Sequence, residues 1–140
     1  MKKIILLLLI VLVSCQKDDI NGSIVGTEWI AQNESRGSSS LYENGSYIKS
    51  EYSTIHDITL KFTSETKGKV KIISATTVDG VKQTPIINEV TFTYTYDSEF
   101  MRGSSVYDIE GVYLTSTFEI RSGFLHEESD YTGGAEYRRK

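Results

Sequence analysis

Residues 90–97 read VTFTYTYD, and this stretch decides the fold class. Its apolar and aromatic side chains occupy every second position: Val90, Phe92, Tyr94 and Tyr96. Threonine fills the positions between them. Because successive side chains of a β-strand point to opposite faces, this period of two predicts a strand with one apolar and one polar face. Such strands are typical of an antiparallel sheet that is packed on one side and solvated on the other.

The same alternation recurs on both sides of this stretch. The apolar positions are Ile58, Leu60 and Phe62, then Val70 and Ile72, and later Val112, Leu114, Phe118 and Ile120. After the first 14 residues, no segment as long as these alternating stretches has its apolar residues at helical spacing. The chain is therefore predicted to be all-β.

Tight turns separate these strands. Asn44-Gly45 and Asp79-Gly80 each stand between segments with strand character, and such dipeptides are the strongest short signals of a β-hairpin. Strands joined in this way predict an antiparallel up-and-down β-barrel over residues 26–140, with a β-sandwich or a partly open barrel as alternatives. The polar run NESRGSSS at residues 33–40 is predicted to be a loop at the mouth of the barrel.

Four segments together resemble the small lipocalin-like lipoproteins of Bacteroidetes. They are VGTEWIAQ (25–32), ITLKFTSETKGKVKI (58–72), VTFTYTYD (90–97) and the carboxyl-terminal segment that begins GVYLTSTFEI at residue 111. The resemblance implies a lipocalin-like barrel in which Trp29 plugs the closed end and Arg121 or Arg138 stacks over its indole. A guanidinium over an indole contributes about 1 kcal/mol when it is partly desolvated.

The amino terminus has the features of a bacterial lipoprotein signal. Two lysines precede an apolar run at residues 4–13, which is shorter than the roughly 20 residues of a transmembrane helix and fits a signal peptide. The LVSC sequence that follows resembles a lipobox, in which the chain is cut before the cysteine and the cysteine is lipidated. We therefore expect residues 1–14 to be a signal peptide and Cys15 to carry the lipid that anchors the protein in the membrane.

The residues after the cysteine read QKDD and resemble the surface-export signal of Bacteroidetes lipoproteins. By this resemblance Lys17, Asp18 and Asp19 direct the anchored protein to the outer face of the outer membrane. The alternative is the same anchor facing the periplasm. Residues 15–25 are expected to be a flexible tether, since their beginning is short, charged and poor in apolar side chains.

Charge and cysteine content exclude several classes of function. The chain has 15 basic and 19 acidic side chains, and two of the basic ones, Lys2 and Lys3, lie in the predicted signal peptide. An acidic surface repels nucleic acid phosphates, so nucleic acid binding is disfavoured. Cys15 is the only cysteine, and its lipidation leaves no thiol for a disulfide, a metal site or nucleophilic catalysis.

The two histidines give no strong sign of catalysis. His56 stands beside Asp57, and His126 is followed by Glu127 and Glu128. A metal site needs three or four converging ligands, so both groups are interpreted as polar surface residues. The carboxylates near Asp130 are interpreted as a solvated turn in preference to a calcium site. No catalytic residue, metal or cofactor is predicted, and the protein is not expected to be an enzyme.

Two functional hypotheses remain. In the first, the barrel binds a small apolar or amphipathic ligand in a cavity lined by Phe62, Phe92, Tyr94, Leu114 and Phe118. In the second, the core is filled and the protein is a protein- or glycan-interaction module. That module would act through the 33–53 region and the tyrosines expected at the surface, which are Tyr42, Tyr47, Tyr52 and Tyr113.

Overall fold

The structure is a computed structural model that describes residues 22–129 and 134–140. These residues form β-strands and no helix, so they include no helix that could cross a membrane. The strands are β1 (Glu28–Glu43), β2 (Ser46–Phe62), β3 (Lys67–Val78), β4 (Val81–Lys82), β5 (Ile86–Asp97), β6 (Arg102–Ile109), β7 (Val112–Arg121), β8 (Phe124–Ser129) and β9 (Ala135–Arg139).

Eight of these strands close into an antiparallel barrel. The strand order is β2-β1-β9-β8-β7-β6-β5-β3, and a further pairing of β2 with β3 closes the ring. The short β4 pairs only with the end of β3 and lies outside the ring. The prediction of an all-β, up-and-down antiparallel barrel is confirmed, and the closed ring is consistent with a lipocalin-like barrel; the alternative β-sandwich does not form.

The core lies toward one end of the barrel, which we call the closed end. This end carries residues 22–27, the carboxyl terminus and the β2–β3, β5–β6 and β7–β8 connections. The alternating positions that the sequence marks as apolar point inward here, as expected for a pleated strand with one buried face. The largest fully buried side chains are Trp29, Tyr107, Tyr137 and Phe62.

The packed domain begins slightly earlier than the predicted boundary at residue 26. Ile24, which the sequence assigns to the tether, is only 1% exposed. The backbone N–H of Gly26 donates to the carbonyl of Phe62 at 2.8 Å, which ties this segment to β2. Cys15, Lys17, Asp18 and Asp19 lie outside the described residues, as does Asp130.

Residues 33–40 are strand, so their prediction as a loop is wrong. They form the middle of β1, and every residue of β1 faces a partner in β2. The turn fixes this register, because Asn44 and Gly45 both adopt positive φ angles, 52° and 82°, as a two-residue hairpin requires. Opposite the polar segment, β2 provides side chains that favour strands, among them Tyr52, Thr54 and Ile55. Cross-strand contacts with these side chains support the polar residues of β1.

The β1–β2 hairpin projects beyond the barrel. β9 pairs with only Trp29 and Ile30 of β1, and β3 pairs with β2 no further than Tyr52. Residues 37–51 therefore extend past the neighbouring strands at the end opposite the core, which we call the open end.

Candidate interaction surface

The aromatic side chains predicted to line a cavity pack against one another. The Phe62 ring lies 5.7 Å from Phe92, 4.8 Å from Tyr94 and 5.4 Å from Phe118, measured between centroids. The first two contacts are edge-to-face, a geometry that aromatic pairs favour. All four rings are buried, whereas Leu114 is half-buried and lies nearer the open end. The interior at the closed end is thus filled by these rings.

Trp29 lies in the core at the closed end, with a hydroxyl as its polar partner. Its indole N–H donates to the Thr27 hydroxyl at 2.9 Å, and that hydroxyl donates to the carbonyl of Ile24 at 2.7 Å. Arg121 and Arg138 are both exposed, each next to an inward-facing residue in its strand. Among residues 22–129 and 134–140, the guanidinium found over a ring belongs to Arg102, which lies 4.9 Å from the centroid of Phe100.

Glu127 is buried inside the barrel, and its assignment to the surface is wrong. Only 3% of it is exposed. The phenol of Tyr107 donates to one carboxylate oxygen, which also accepts from the Ser116 hydroxyl at 2.9 Å, and the phenol of Tyr137 donates to the other at 2.9 Å. The period of two was the missed signal, because Glu127 lies two residues after buried Leu125.

Burial and the adjacent carboxylate both act on Tyr107. Desolvation is the larger cause that raises the pKa of its phenol above the ordinary value, and the negative charge of Glu127 adds to it. The phenol therefore stays protonated and donates to the carboxylate. Hydroxyl donors from the described residues thus satisfy a buried charge, as a carboxylate in a protein interior requires.

The histidines lie in separate places and have ordinary partners. His56 Nδ1 lies 2.9 Å from the Ser74 hydroxyl, and His126 Nδ1 lies 3.4 Å from a carboxylate oxygen of Glu136. Within the described part of the chain, no three histidine, cysteine or acidic side chains come close enough together to hold a metal ion.

The end of the hairpin exposes a cluster of large apolar side chains, which we call the hairpin tip. Its members and their exposed fractions are Leu41 (62%), Tyr42 (63%), Tyr47 (78%) and Ile48 (50%). Leu41 is paired with Ile48 on one face, and Tyr42 with Tyr47 on the other, where the ring centroids are 4.8 Å apart. Contiguous exposed apolar groups of this kind mark interaction sites.

Below the tip, the hairpin carries charged pairs and a shallow groove. Arg36 bonds to Glu34 at 2.7 Å, and Lys49 bonds to Glu51 at 2.8 Å. The groove, of about 800 Å³, lies between these side chains and the β3–β4 turn. Tyr52 lies across Gly37, where any β-carbon would collide with its ring.

A second groove lies on the outer face where β1 separates from β9. Its volume is about 490 Å³, and its lining includes Ile30, Gln32, Phe124 and Arg138. The amide of Gln32 donates to Asp57 at 2.7 Å, which orders one wall. Phe124 is 40% exposed and supplies an apolar surface.

Comparison of the chain with protein-family models, with curated proteins and with solved structures finds no match. The hairpin tip and the two grooves are therefore interpreted from their own geometry.

Proposed function

We propose that this protein is a lipid-anchored, non-catalytic module of the outer membrane, exposed at the cell surface, that binds a protein partner through the hairpin tip. The observation that carries the proposal is that four large apolar side chains are exposed to solvent at the tip, although aromatic rings fill the core at the closed end. Exposed apolar surface of this kind lowers solubility. A partner that covers these side chains removes their apolar surface from water, which favours binding.

The shape of the site favours a macromolecule over a small molecule. Small ligands bind in concave sites that enclose most of their surface, whereas the tip is the convex end of a projecting hairpin. Tyrosine is enriched among the residues that dominate binding energy at protein interfaces. Leu41 and Ile48 add aliphatic surface, which suits a protein better than a polar glycan.

The place where the predicted tether joins the barrel supports this role. Chain entry at Ile24 lies at the closed end, and the tip lies at the opposite end. A lipid on Cys15 would hold the closed end toward the membrane and direct the tip away from it. The export-like residues Lys17, Asp18 and Asp19 support the outer face of the outer membrane, and the periplasmic face is the alternative.

The ligand hypothesis is the second candidate. Half-buried apolar side chains remain on the inner face toward the open end, namely Ile72, Val90, Ile109 and Leu114. A small apolar ligand would lie against these side chains and not among the packed rings.

Site-specific photocrosslinking on intact cells tests the proposal. A p-benzoylphenylalanine in place of Tyr47 is expected to give a discrete adduct that disappears when Leu41 and Ile48 are changed to serine. The same group in place of Tyr113 is the control, because Tyr113 is also exposed (68%) but lies on β7. The absence of an adduct from position 47 would contradict the proposal. A bound apolar molecule in native mass spectra, lost in Leu114→Asp, would favour the ligand hypothesis instead.

A further inference from the structure

One long edge of the projecting hairpin is unpaired. β2 covers one edge of β1 along its whole length, whereas β9 covers the other edge only at Trp29 and Ile30. Along residues 32–42, no other strand of the described chain lies on that second edge. We call this the free edge of β1.

The free edge presents backbone hydrogen-bonding groups to solvent. Lys140 N–H donates to the carbonyl of Glu28 at 2.9 Å, so the even-numbered residues of β1 direct their backbone groups toward β9. The two-residue turn agrees, because it closes on the pair of Glu43 and Ser46, whose backbone groups face each other. The even positions from 32 to 42 therefore offer unused N–H and C=O groups.

This segment has few of the features that keep edge strands unpaired. Natural edge strands are commonly protected by charged side chains, above all lysine, by proline or by a bulge. Residues 32–42 read QNESRGSSSLY, with no proline and no lysine, and they pair with β2 without a bulge. Their charged side chains, Glu34 and Arg36, are bonded to each other at 2.7 Å. The small side chains at the centre also allow a second strand to approach closely.

We propose that the free edge pairs with the same edge of a second copy, forming an antiparallel dimer with two-fold symmetry. The inference rests on the proposed function and names the partner as another molecule of this chain. Because even positions face the free edge, symmetric pairing must set even positions opposite even ones. The register that uses the whole edge without meeting β9 sets Gln32 opposite Tyr42, Arg36 opposite Ser38, and Gly37 opposite itself.

Neighbouring registers are worse. If the second copy were shifted toward the barrel to the next register that keeps even positions opposite even ones, Arg36 would lie opposite Arg36. That register places like charges directly across the strand pair. It would also drive Glu43 of the second copy against β9 where that strand pairs with Trp29. The equivalent shift away from the barrel would leave Gln32 without a partner and reduce the number of hydrogen-bonded residue pairs.

The chosen register also brings an exposed ring to a groove. Tyr42 lies on the outer face of the hairpin, and the outer-face groove of about 490 Å³ begins at Gln32. Opposite Gln32, the Tyr42 ring of the second copy would reach Phe124 and Arg138, which line that groove. The two-fold axis repeats this contact at the other end, as in an isologous interface.

The dimer has a consequence for anchoring. Antiparallel hairpins point in opposite directions, so the two closed ends lie at opposite ends of the pair, and so do the points near Ile24 where each predicted tether joins its barrel. This geometry suits contact between two anchored surfaces.

Sedimentation equilibrium of the mature lipoprotein in density-matched detergent tests the pairing. Ser38→Pro removes an N–H that points to the free edge and no hydrogen bond of the hairpin, so it is expected to give a monomer with an unchanged circular dichroism spectrum. Tyr42→Ala is expected to raise the dimer dissociation constant at least about tenfold. Tyr113→Ala, the matched control, should leave the dimer intact. A monomeric wild type, or a dimer unaffected by Ser38→Pro, overturns the inference.

A cysteine crosslink tests the register. Ser38→Cys is expected to form a dimer with a short bismaleimide, because positions 38 of the two copies lie diagonally across the axis, about 7–8 Å apart. Ser98→Cys, an exposed serine in the β5–β6 turn, should not. If the wild type is monomeric and Ser38→Cys gives no crosslinked dimer, while the adduct at position 47 contains a different protein, the proposed function stands and the dimer does not. If the position-47 adduct is also absent, both fail.

Discussion

At the scale of single residues, Glu127 shows how a charge is kept inside a small barrel. Three hydroxyl groups from three different strands donate to its carboxylate. Ser105 extends the group, with its hydroxyl 2.6 Å from that of Ser116. Hydrogen bonds to a charged acceptor are stronger than neutral ones, so these contacts link β6, β7 and β9 through one side chain of β8.

The network makes the stability of the barrel sensitive to high pH. The unfolded chain releases the Tyr107 proton near pH 10, whereas the folded chain retains it because burial raises the pKa of that phenol. Above this pH the unfolded state binds fewer protons, so the free energy of unfolding falls as pH rises. Below pH 10 this contribution is fully present.

Urea unfolding of the wild type and of Tyr107→Phe between about pH 8 and pH 11, which spans the ordinary pKa of a phenol, measures this effect. The wild type is expected to lose more stability over this interval than the variant, which has no phenol to ionise at that position. Equal losses in the two proteins would contradict the assignment to Tyr107.

At the scale of elements, the β1–β2 hairpin is the part that the sequence described least well. Its β1 strand contains NESRGSSS, which lacks the apolar alternation of the other strands. Only the Asn44-Gly45 turn and the apolar residues near it indicated a hairpin. The polar strand forms because β2 pairs with it along its whole length, and pairing is a property of two segments that neither shows alone.

The turn is expected to control the hairpin locally. Gly45→Ala places a side chain at a φ of 82°, which costs about 1 kcal/mol. Hydrogen exchange of the amides in residues 37–51 should become faster, with no change in the core strands. Gly111→Ala, at a φ of 87° in the β6–β7 turn, is the matched control and should affect the ends of β6 and β7 and not the hairpin tip. Unchanged exchange at the tip would show that the turn does not limit its opening.

At the scale of the whole molecule, the predicted membrane anchor and the hairpin tip belong to opposite ends of the barrel. The closed end holds the core and the entry of the chain, and the open end carries the hairpin. Function at the surface then depends on the anchor and on its side of the membrane, which are proposals from the residues of the first 19 positions.

Fractionation and protease shaving test this part of the proposal. Cys15→Ser is expected to release the protein from the membrane fraction, because no lipid can be attached. Changing both Asp18 and Asp19 to alanine is expected to keep the protein in that fraction but protect it from protease added to intact cells. Surface cleavage that persists in the double variant would reject the export signal.

The sequence by itself determined the strands that show a period of two, at residues 58–62, 70–72, 90–96 and 112–120, because that period is a local property of the chain. It also located the tight turns, whose dipeptides favour positive φ angles without help from distant residues. The tertiary structure decided what depends on contacts between distant segments. These are the closure of the ring through β1–β9 and β2–β3, the hydroxyl groups that donate to Glu127, and the free edge of β1. The physical reason is that strand direction and face are set by neighbouring residues, whereas pairing and burial are set by which segments meet.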